Sequence, residues 1–156
     1  MLQIPIPGFK ALDLEHLVLD FNGTLSFHGS LIEGVRERLE ALSMDLHLHV
    51  VTANTHARAE EELQGLPLTL TLLGPTDQAE AKRDYVAGLG ADQVVCIGNG
   101  RNDRLMLREA ALGIAVCGGE GAAMEALTAA HLFVPRIQDA LDLLRNPQRL
   151  MATLRS

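Results

Sequence analysis

An acidic residue stands where a short apolar run of the sequence stops. The run Leu17-Val18-Leu19 ends on Asp20, and the turn-forming residues Asn22-Gly23-Thr24 follow almost at once. Short apolar runs bounded by turn signals are typical of strands buried on both faces of a parallel sheet. Asp20 then stands at the carboxyl end of a strand, where open α/β sheets bind ligands. A carboxylate held there can act as a nucleophile toward phosphorus. The alternative is that Asp-x-Asn-Gly is a simple turn.

Three further sets of polar groups lie at the ends of apolar segments or in a predicted helix. Thr52 ends an apolar segment, Lys82 lies in a predicted helix, and Gly98-Asn99-Gly100-Arg101-Asn102-Asp103 follows another apolar segment. A hydroxyl, an ammonium group and oxygen ligands around a carboxylate are the groups that phosphoryl transfer uses. Taken singly, a Thr at a strand end reflects β propensity, and a Lys on a helix is usually solvated.

Predicted strands and helices alternate along the whole chain. The predicted strands are 17–19, 46–51, 68–73, 94–97, 112–116 and 132–134. The predicted helices are 31–43, a segment with Glu60-Glu61-Glu62 that closes at Gly65, the Lys82 helix capped by Thr76 or Asp77, 105–111, 122–127, 139–144 and a tail over 147–156. An edge hairpin is predicted over 1–15, and a small flap over 26–30. This order predicts an α/β, three-layer Rossmann-like parallel sheet with helices on both faces.

Composition limits the classes of function. The chain has 156 residues, which suits a single domain, and a formal net charge of -7, which argues against non-specific binding to nucleic acid or anionic membranes. No stretch is long and apolar enough to span a bilayer, and the first residues lack the cationic start of a signal peptide. Cys96 and Cys117 are expected to be buried free thiols. These features together predict a cytoplasmic protein.

The polar groups form a pattern that resembles the haloacid dehalogenase (HAD) superfamily of phosphatases and phosphotransferases. The family pattern is Asp-x-Asp-Gly-Thr after the first core strand, then Thr or Ser, then Lys, then Gly-Asp-Gly-x-Asn-Asp. The matching residues are Asp20-Phe21-Asn22-Gly23-Thr24, Thr52, Lys82 and 98–103, in the same order. The segments 19–25 and 97–103 more narrowly resemble the soluble P-type ATPase-like HAD proteins. Neither insertion point has room for a cap domain, so the resemblance implies a capless member.

The resemblance implies a role for each matching residue. Asp20 would be the nucleophile and a ligand of Mg²⁺, and the backbone carbonyl of Asn22 would be another ligand. Thr52 would donate a hydrogen bond to the phosphate, and Lys82 would neutralise charge on the phosphoryl group and on Asp20. The remaining phosphate contacts would come from backbone N–H groups near Gly23, Thr24, Ala53 and Asn54.

Two of the family's acids are amides in this chain. Asn22 replaces the acid that exchanges a proton with the leaving group and with water, and an amide cannot do so at neutral pH. Turnover is then slow, or His28 or His56 substitutes. Asn99 replaces a metal-binding acid; its amide oxygen can still bind Mg²⁺, but with one negative charge fewer.

Residues close to Asn99 are expected to support it. Asp103 would bind the metal through water or hold Lys82, and Asn102 would hydrogen-bond nearby. The glycine-rich segment 118–121 lacks the Lys-Ser/Thr of a P-loop and is interpreted as a turn near the rim of the site. His47 and His49 share a face of their strand, but a metal site there is not favoured.

These features predict a Mg²⁺-dependent phosphohydrolase or phosphotransferase that acts through an aspartyl-phosphate on Asp20. The expected partner is a phosphorylated small molecule or ATP. Similar capless members commonly oligomerise or act on large, accessible substrates, so the resemblance leaves open both a homo-oligomer and a large substrate. The alternative is a catalytically weak HAD-fold module that binds phosphate or a protein, which the amides Asn22 and Asn99 favour.

Overall fold

A computed structural model describes residues 1–53 and 58–156 of the chain. The described residues form ten β-strands and seven α-helices, with short 3-10 helices at Ala91–Gln93 and Arg101–Asp103. The strands are β1 (Leu2–Pro5), β2 (Ala11–Leu14), β3 (His16–Leu19), β4 (Ser26–Phe27), β5 (Ser30–Leu31), β6 (His47–Thr52), β7 (Leu68–Leu72), β8 (Val94–Gly98), β9 (Leu112–Val116) and β10 (Leu132–Val134). The helices are α1 (Val35–Leu42), α2 (Arg58–Glu62), α3 (Gln78–Leu89), α4 (Arg104–Glu109), α5 (Met124–Ala129), α6 (Ile137–Arg145) and α7 (Pro147–Leu154).

Six of these strands form one parallel sheet in the order β10-β9-β8-β3-β6-β7. The central strand β3 pairs Leu19 with Val50 of β6 on one side and with Ile97 of β8 on the other. The chain adds β6 and β7 on one side of β3 and then returns to add β8, β9 and β10 on the other. The direction of strand addition therefore reverses between β3 and β8, and open parallel sheets bind their ligands at such a point.

Helices cover both faces of this sheet, and apolar side chains fill the two layers between them. Because successive side chains of a strand point to opposite faces, Leu17 packs in one core while its neighbour Val18 packs in the other. The first core includes Leu39 of α1 and Leu141 of α6, and the second includes Met106 of α4. The predicted three-layer Rossmann-like fold is confirmed.

Two small hairpins lie outside the main sheet. Strands β1 and β2 form a separate antiparallel sheet over the first core, rather than an edge of the six-stranded sheet. Strands β4 and β5 form the predicted flap, whose tight turn places His28 at φ 52°. No helix among the described residues is long and apolar enough to cross a membrane.

The first helix and one cysteine differ from the prediction. The helix expected over 31–43 begins only at Val35, because Leu31 pairs with Ser26 in the flap. Gly34 precedes the helix with a φ of 84°, a left-handed conformation through which a right-handed helix cannot continue. Both cysteines are free, but Cys117 is half-buried whereas Cys96 is fully buried.

Candidate active site

A cavity of about 290 Å³ opens at the carboxyl edge of the sheet, where β3, β6 and β8 end. Its lining residues come from five separate segments of the chain. They are Asp20, Asn22, Thr52, Ala53, Gln78, Asn99, Gly100, Asn102 and Glu120. A larger groove of about 550 Å³ lies at the other end of the strands, around His16, His47 and His49. The chemistry predicted from the sequence belongs to the smaller cavity, because Asp20 lies there.

A buried lysine joins two acids beneath this cavity. Lys82 Nζ lies 2.7 Å from Asp20 Oδ1 and 2.7 Å from Asp103 Oδ1. Lys82 and Asp103 are fully buried, and Asp20 is 6% exposed. Lys82 comes from α3 and Asp103 from the turn after β8, so only the fold brings them to the end of β3. Lys82 thus holds the carboxylate of Asp20 at the base of the cavity.

The ionisation of this trio follows from burial and from its charge. Burial lowers the pKa of Lys82, but the two carboxylates outweigh burial and raise it above its usual value. Burial raises the pKa of Asp103 to about 6, and repulsion by Asp20 adds to the rise despite the attraction of Lys82. Two negative charges stabilise the protonated form of Lys82, so the pKa of Lys82 is raised. The single ammonium group can neutralise only one carboxylate, so the pKa of Asp103 is raised as well.

The side chain of Thr24 links the nucleophile candidate to Asn99. Its hydroxyl oxygen lies 3.2 Å from Asp20 Oδ2 and 3.1 Å from Asn99 Oδ1. The Asn99 amide nitrogen donates to the carbonyl of Gly121 at 3.0 Å, which ties the loop after β9 to the site. Asn99 therefore uses both ends of its amide, and a carboxylate at this position would lose the donor to Gly121.

Asp103 uses both of its oxygens inside the protein. Oδ1 accepts from Lys82, while Oδ2 accepts from the backbone N–H groups of Asn99 at 3.1 Å and Gly100 at 2.9 Å. Gly98 makes room for this arrangement, because a Cβ there would lie 2.5 Å from Asp103 Cγ. Of the two roles expected for Asp103, the structure shows the contact with Lys82.

Four of the other predicted site residues line the same opening. Gly23 and Thr24, predicted to give backbone N–H groups to the phosphate, instead donate them to the carbonyls of Ser26 and Phe21 within the turn. Thr52 is buried at the end of β6 and lines the cavity with Ala53. Asn102 donates to Gln78 Oε1 at 2.9 Å. Asn22 is exposed on the cavity wall. Asn54, predicted to contribute a backbone N–H group, and His56, a candidate for proton transfer, lie outside the described residues.

Glu120 lines the cavity but was not predicted from the sequence as a site residue. It belongs to the glycine-rich segment 118–121, which was expected to form a turn near the rim, and its carboxylate reaches Gly23. The signal available was an acid in the loop after a strand of the same sheet. His28 does not line the cavity; its ring packs on Phe27 with the ring centroids 4.1 Å apart.

The oxygen atoms at this site suit a hard divalent cation. A carboxylate from Asp20, an amide oxygen from Asn99 and the backbone carbonyl of Asn22 are the kinds of ligand that Mg²⁺ prefers. Within residues 1–53 and 58–156, no three His, Cys, Asp or Glu side chains form a group that could hold a metal ion. A cation here would therefore depend on amide and backbone oxygens as well as on carboxylates.

Comparison with known proteins supports the fold and gives one sequence relative. The "Uncharacterized protein MJ0073" of Methanocaldococcus jannaschii is 49% identical over 63 residues, which are 40% of this chain and 68% of that protein. This chain belongs to the family of that archaeal protein. No protein-family model matches the chain.

Solved structures of HAD proteins share the architecture. A HAD superfamily (subfamily III A) hydrolase from Legionella pneumophila has a TM-score of 0.72 at 20% identity, over 91% of this chain and 87% of its own. A 3-deoxy-D-manno-octulosonate 8-phosphate phosphatase from Moraxella catarrhalis, solved with magnesium, phosphate and KDO, has a TM-score of 0.71 at 18% identity, over 92% of this chain and 94% of its own. The chain has the HAD fold.

Proposed function

We propose that this chain is a Mg²⁺-dependent HAD phosphohydrolase or phosphotransferase that forms an aspartyl-phosphate on Asp20. The observation that carries the proposal is the buried Lys82, which holds the Asp20 carboxylate against an open cavity and lies 2.7 Å from both Asp20 and Asp103. A purely structural ion pair would not need to present an acid to an opening lined by Thr52, Asn99 and Asn102.

The proposed reaction has two displacements at phosphorus. A carboxylate oxygen of Asp20 attacks the phosphorus atom, the bond to the leaving oxygen breaks, and that oxygen takes a proton from water because Asn22 has none to give. Water then attacks the phosphorus of the aspartyl-phosphate, and the bond from phosphorus to the Asp20 oxygen breaks. Inorganic phosphate leaves, a proton of the attacking water neutralises the hydroxide left by the first step, and Asp20 is restored as a carboxylate. Transfer to another hydroxyl in place of water would make the protein a phosphotransferase.

The chain's own groups would stabilise the charge that develops on the phosphoryl oxygens. Lys82 supplies a fixed positive charge, and the hydroxyl of Thr52 and the backbone near Ala53 supply hydrogen-bond donors at the cavity wall. Mg²⁺, held by Asp20, the carbonyl of Asn22 and the amide oxygen of Asn99, would add positive charge beside the transferred group. The magnesium and phosphate bound by the Moraxella catarrhalis structure support this choice.

The proposed substrate is a phosphorylated small molecule. The M. catarrhalis neighbour is named as a phosphatase of a sugar-acid phosphate. The resemblance of 19–25 and 97–103 to soluble P-type ATPase-like proteins adds ATP as a candidate. We also propose that the protein acts in the cytoplasm and that, as a capless member, it forms homo-oligomers.

The test is Mg²⁺-dependent hydrolysis of p-nitrophenyl phosphate by wild type and by Asp20→Asn. We expect the variant and chelator-treated wild type to lose the activity, since both lack a part of the proposed machinery. Asp13→Asn is the matched control, because Asp13 is exposed on β2 and does not line the cavity; this variant should hydrolyse like wild type.

The rival function is a catalytically weak module that binds phosphate or a protein. It is favoured by Asn22 and Asn99, which remove two acids from the site. Equal background hydrolysis by wild type and Asp20→Asn would overturn the enzymatic proposal and favour this rival. Calorimetric titration of wild type with inorganic phosphate would then test whether the cavity binds an anion.

A further inference from the structure

We propose that Glu120 supplies to the divalent-cation site the carboxylate that Asn99 does not. The inference rests on the proposed Mg²⁺-dependent function and assigns to it a residue from the loop after β9. Three observations carry it: the position of the Glu120 carboxylate, the anchoring of its loop, and the charges already present at the site.

The Glu120 carboxylate lies where the cavity meets the turn after β3. An ideal Cβ built on Gly23 would collide with Glu120 Oε2 and would lie 2.7 Å from Asn99 Nδ2. The carboxylate therefore lies against Gly23 and beside the Asn99 amide. Among the described residues that line the cavity, Asp20 and Glu120 are the acidic ones.

The loop that carries Glu120 is attached to the site through Asn99 itself. Asn99 Nδ2 donates to the Gly121 carbonyl at 3.0 Å, and the backbone N–H of Ala123 donates to the Asn99 carbonyl at 2.9 Å. On the other side, the Gly118 N–H donates to the Pro135 carbonyl at 3.2 Å. The amide at position 99 thus holds in place the loop that brings an acid back to the cavity.

The charge at the site explains why a second carboxylate is needed. Lys82 lies 2.7 Å from Asp20 and opposes the approach of any cation to that carboxylate. Asp103 is fully buried, and both of its oxygens are engaged by Lys82 and backbone N–H groups. Because cation affinity depends on the charge of the ligands, Asp20 with two neutral oxygens is a weak site, and Glu120 restores the missing negative charge.

The experiment measures cation binding without substrate. The full chain, freed of metal with chelator, is titrated calorimetrically with MgCl₂, and MnCl₂ binding is followed by electron paramagnetic resonance. We expect Glu120→Gln to weaken binding of both ions by at least about tenfold, as loss of a carboxylate close to a metal does. Glu125→Gln is the matched control: Glu125 is exposed on α5, pairs with Arg101 and does not line the cavity.

A double variant separates a charge role from a structural one. In Asn99→Asp/Glu120→Gln the acid is moved to position 99, and we expect it to bind Mg²⁺ more tightly than Glu120→Gln does. Failure of this rescue, or equal affinities of Glu120→Gln and Glu125→Gln, would overturn the inference. Thermal unfolding of each variant shows whether the fold is kept.

The outcomes also separate this inference from the proposed function. If hydrolysis depends on Asp20 and on Mg²⁺ while Glu120→Gln binds Mg²⁺ like wild type, the proposed role of Glu120 is wrong but the proposed enzymatic function stands. If wild type binds neither ion and its background hydrolysis matches that of Asp20→Asn, both the proposed function and the proposed role of Glu120 are wrong.

Discussion

Asn22 and Asn99 both stand where the family pattern has an acid, but their surroundings differ. Asn99 is 7% exposed, and its amide contacts the Thr24 hydroxyl on one side and the Gly121 carbonyl on the other. Asn22 is exposed on the cavity wall. An acid at position 22 therefore costs the fold little, whereas an acid at position 99 loses the hydrogen bond that holds the loop after β9.

We predict that Asn22→Asp raises the rate of p-nitrophenyl phosphate hydrolysis, because an acid there can pass a proton to the leaving group and take one from water. Such proton transfer contributes roughly 10²- to 10⁴-fold in rate. Steady-state kinetics with Mg²⁺ check this. Gln148→Glu, an amide-to-acid change at an exposed position of α7, should leave the rate unchanged. If neither Asn22→Asp nor Asn99→Asp hydrolysed p-nitrophenyl phosphate faster than wild type, the argument from proton transfer would be contradicted.

At the scale of elements, the site depends on how closely α4 packs against the sheet. α4 follows the 3-10 helix that contains Asn102 and Asp103, and its buried residues Met106 and Leu107 face the strands. Gly113 of β9 lies against the end of this helix: an added Cβ would lie within 3.0 Å of the Leu107 carbonyl carbon and closer still to its oxygen. The neighbouring atoms are backbone, so they cannot move aside as a side chain would.

We predict that Gly113→Ala lowers the free energy of unfolding by about 1–3 kcal/mol, the usual cost of overpacking a core. Urea denaturation followed by circular dichroism measures the change. Gly74→Ala is the matched control, because no atom lies within 4 Å of a Cβ added there, and it should change stability far less. Equal stability of the two variants would mean that β9 and α4 can separate without cost.

At the scale of the whole molecule, the sheet carries different groups at its two ends. The carboxyl edge holds the charged trio of Asp20, Lys82 and Asp103. The other end holds a histidine cluster in which His16 Nδ1 lies 3.1 Å from His49 Nε2 and His49 Nδ1 lies 2.8 Å from the Tyr85 hydroxyl. None of these histidines lines the candidate site, so we expect their protonation to act on stability.

We predict that the contribution of His49 to stability falls as the pH drops from 7.5 to 5. Burial, with His16 and His47, lowers the pKa of His49 to about 4 from an ordinary value of 6.5. In the unfolded chain His49 therefore takes up a proton below about pH 6.5, whereas in the folded chain it does so only near pH 4. The stability that neutral His49 contributes above pH 6.5 is lost as the pH falls through this range. His49 should account for about 1–2 kcal/mol of the loss at pH 5.

Urea denaturation at pH 7.5 and pH 5 measures this difference. His49→Gln should be less stable than wild type at pH 7.5 but should lose less on acidification. His28→Gln, at an exposed position of the flap, should keep the pH dependence of wild type. A pH dependence that His49→Gln leaves unchanged would assign the loss to other groups.

Local patterns in the sequence determined the fold class and the ends of the strands at which polar groups stand. Alternation of short apolar runs with helical spacing is a local property. It predicted the parallel sheet and placed Asp20, Thr52 and Asn99 at or directly after the ends of strands. The first helix was predicted too long, because the pairing of Leu31 in the flap is a contact with Ser26 that helical spacing does not reveal.

Only the tertiary structure decided which polar groups meet. Lys82 is 62 residues from Asp20 in the chain and 21 from Asp103, and the family resemblance placed them together where spacing alone could not. Glu120 had no such guide: its carboxylate reaches Gly23 because β9 lies next to β8 in the sheet and the amide of Asn99 ties the following loop to the site. The order of strands and the path of the crossovers set these distances, and both follow from packing of the whole chain.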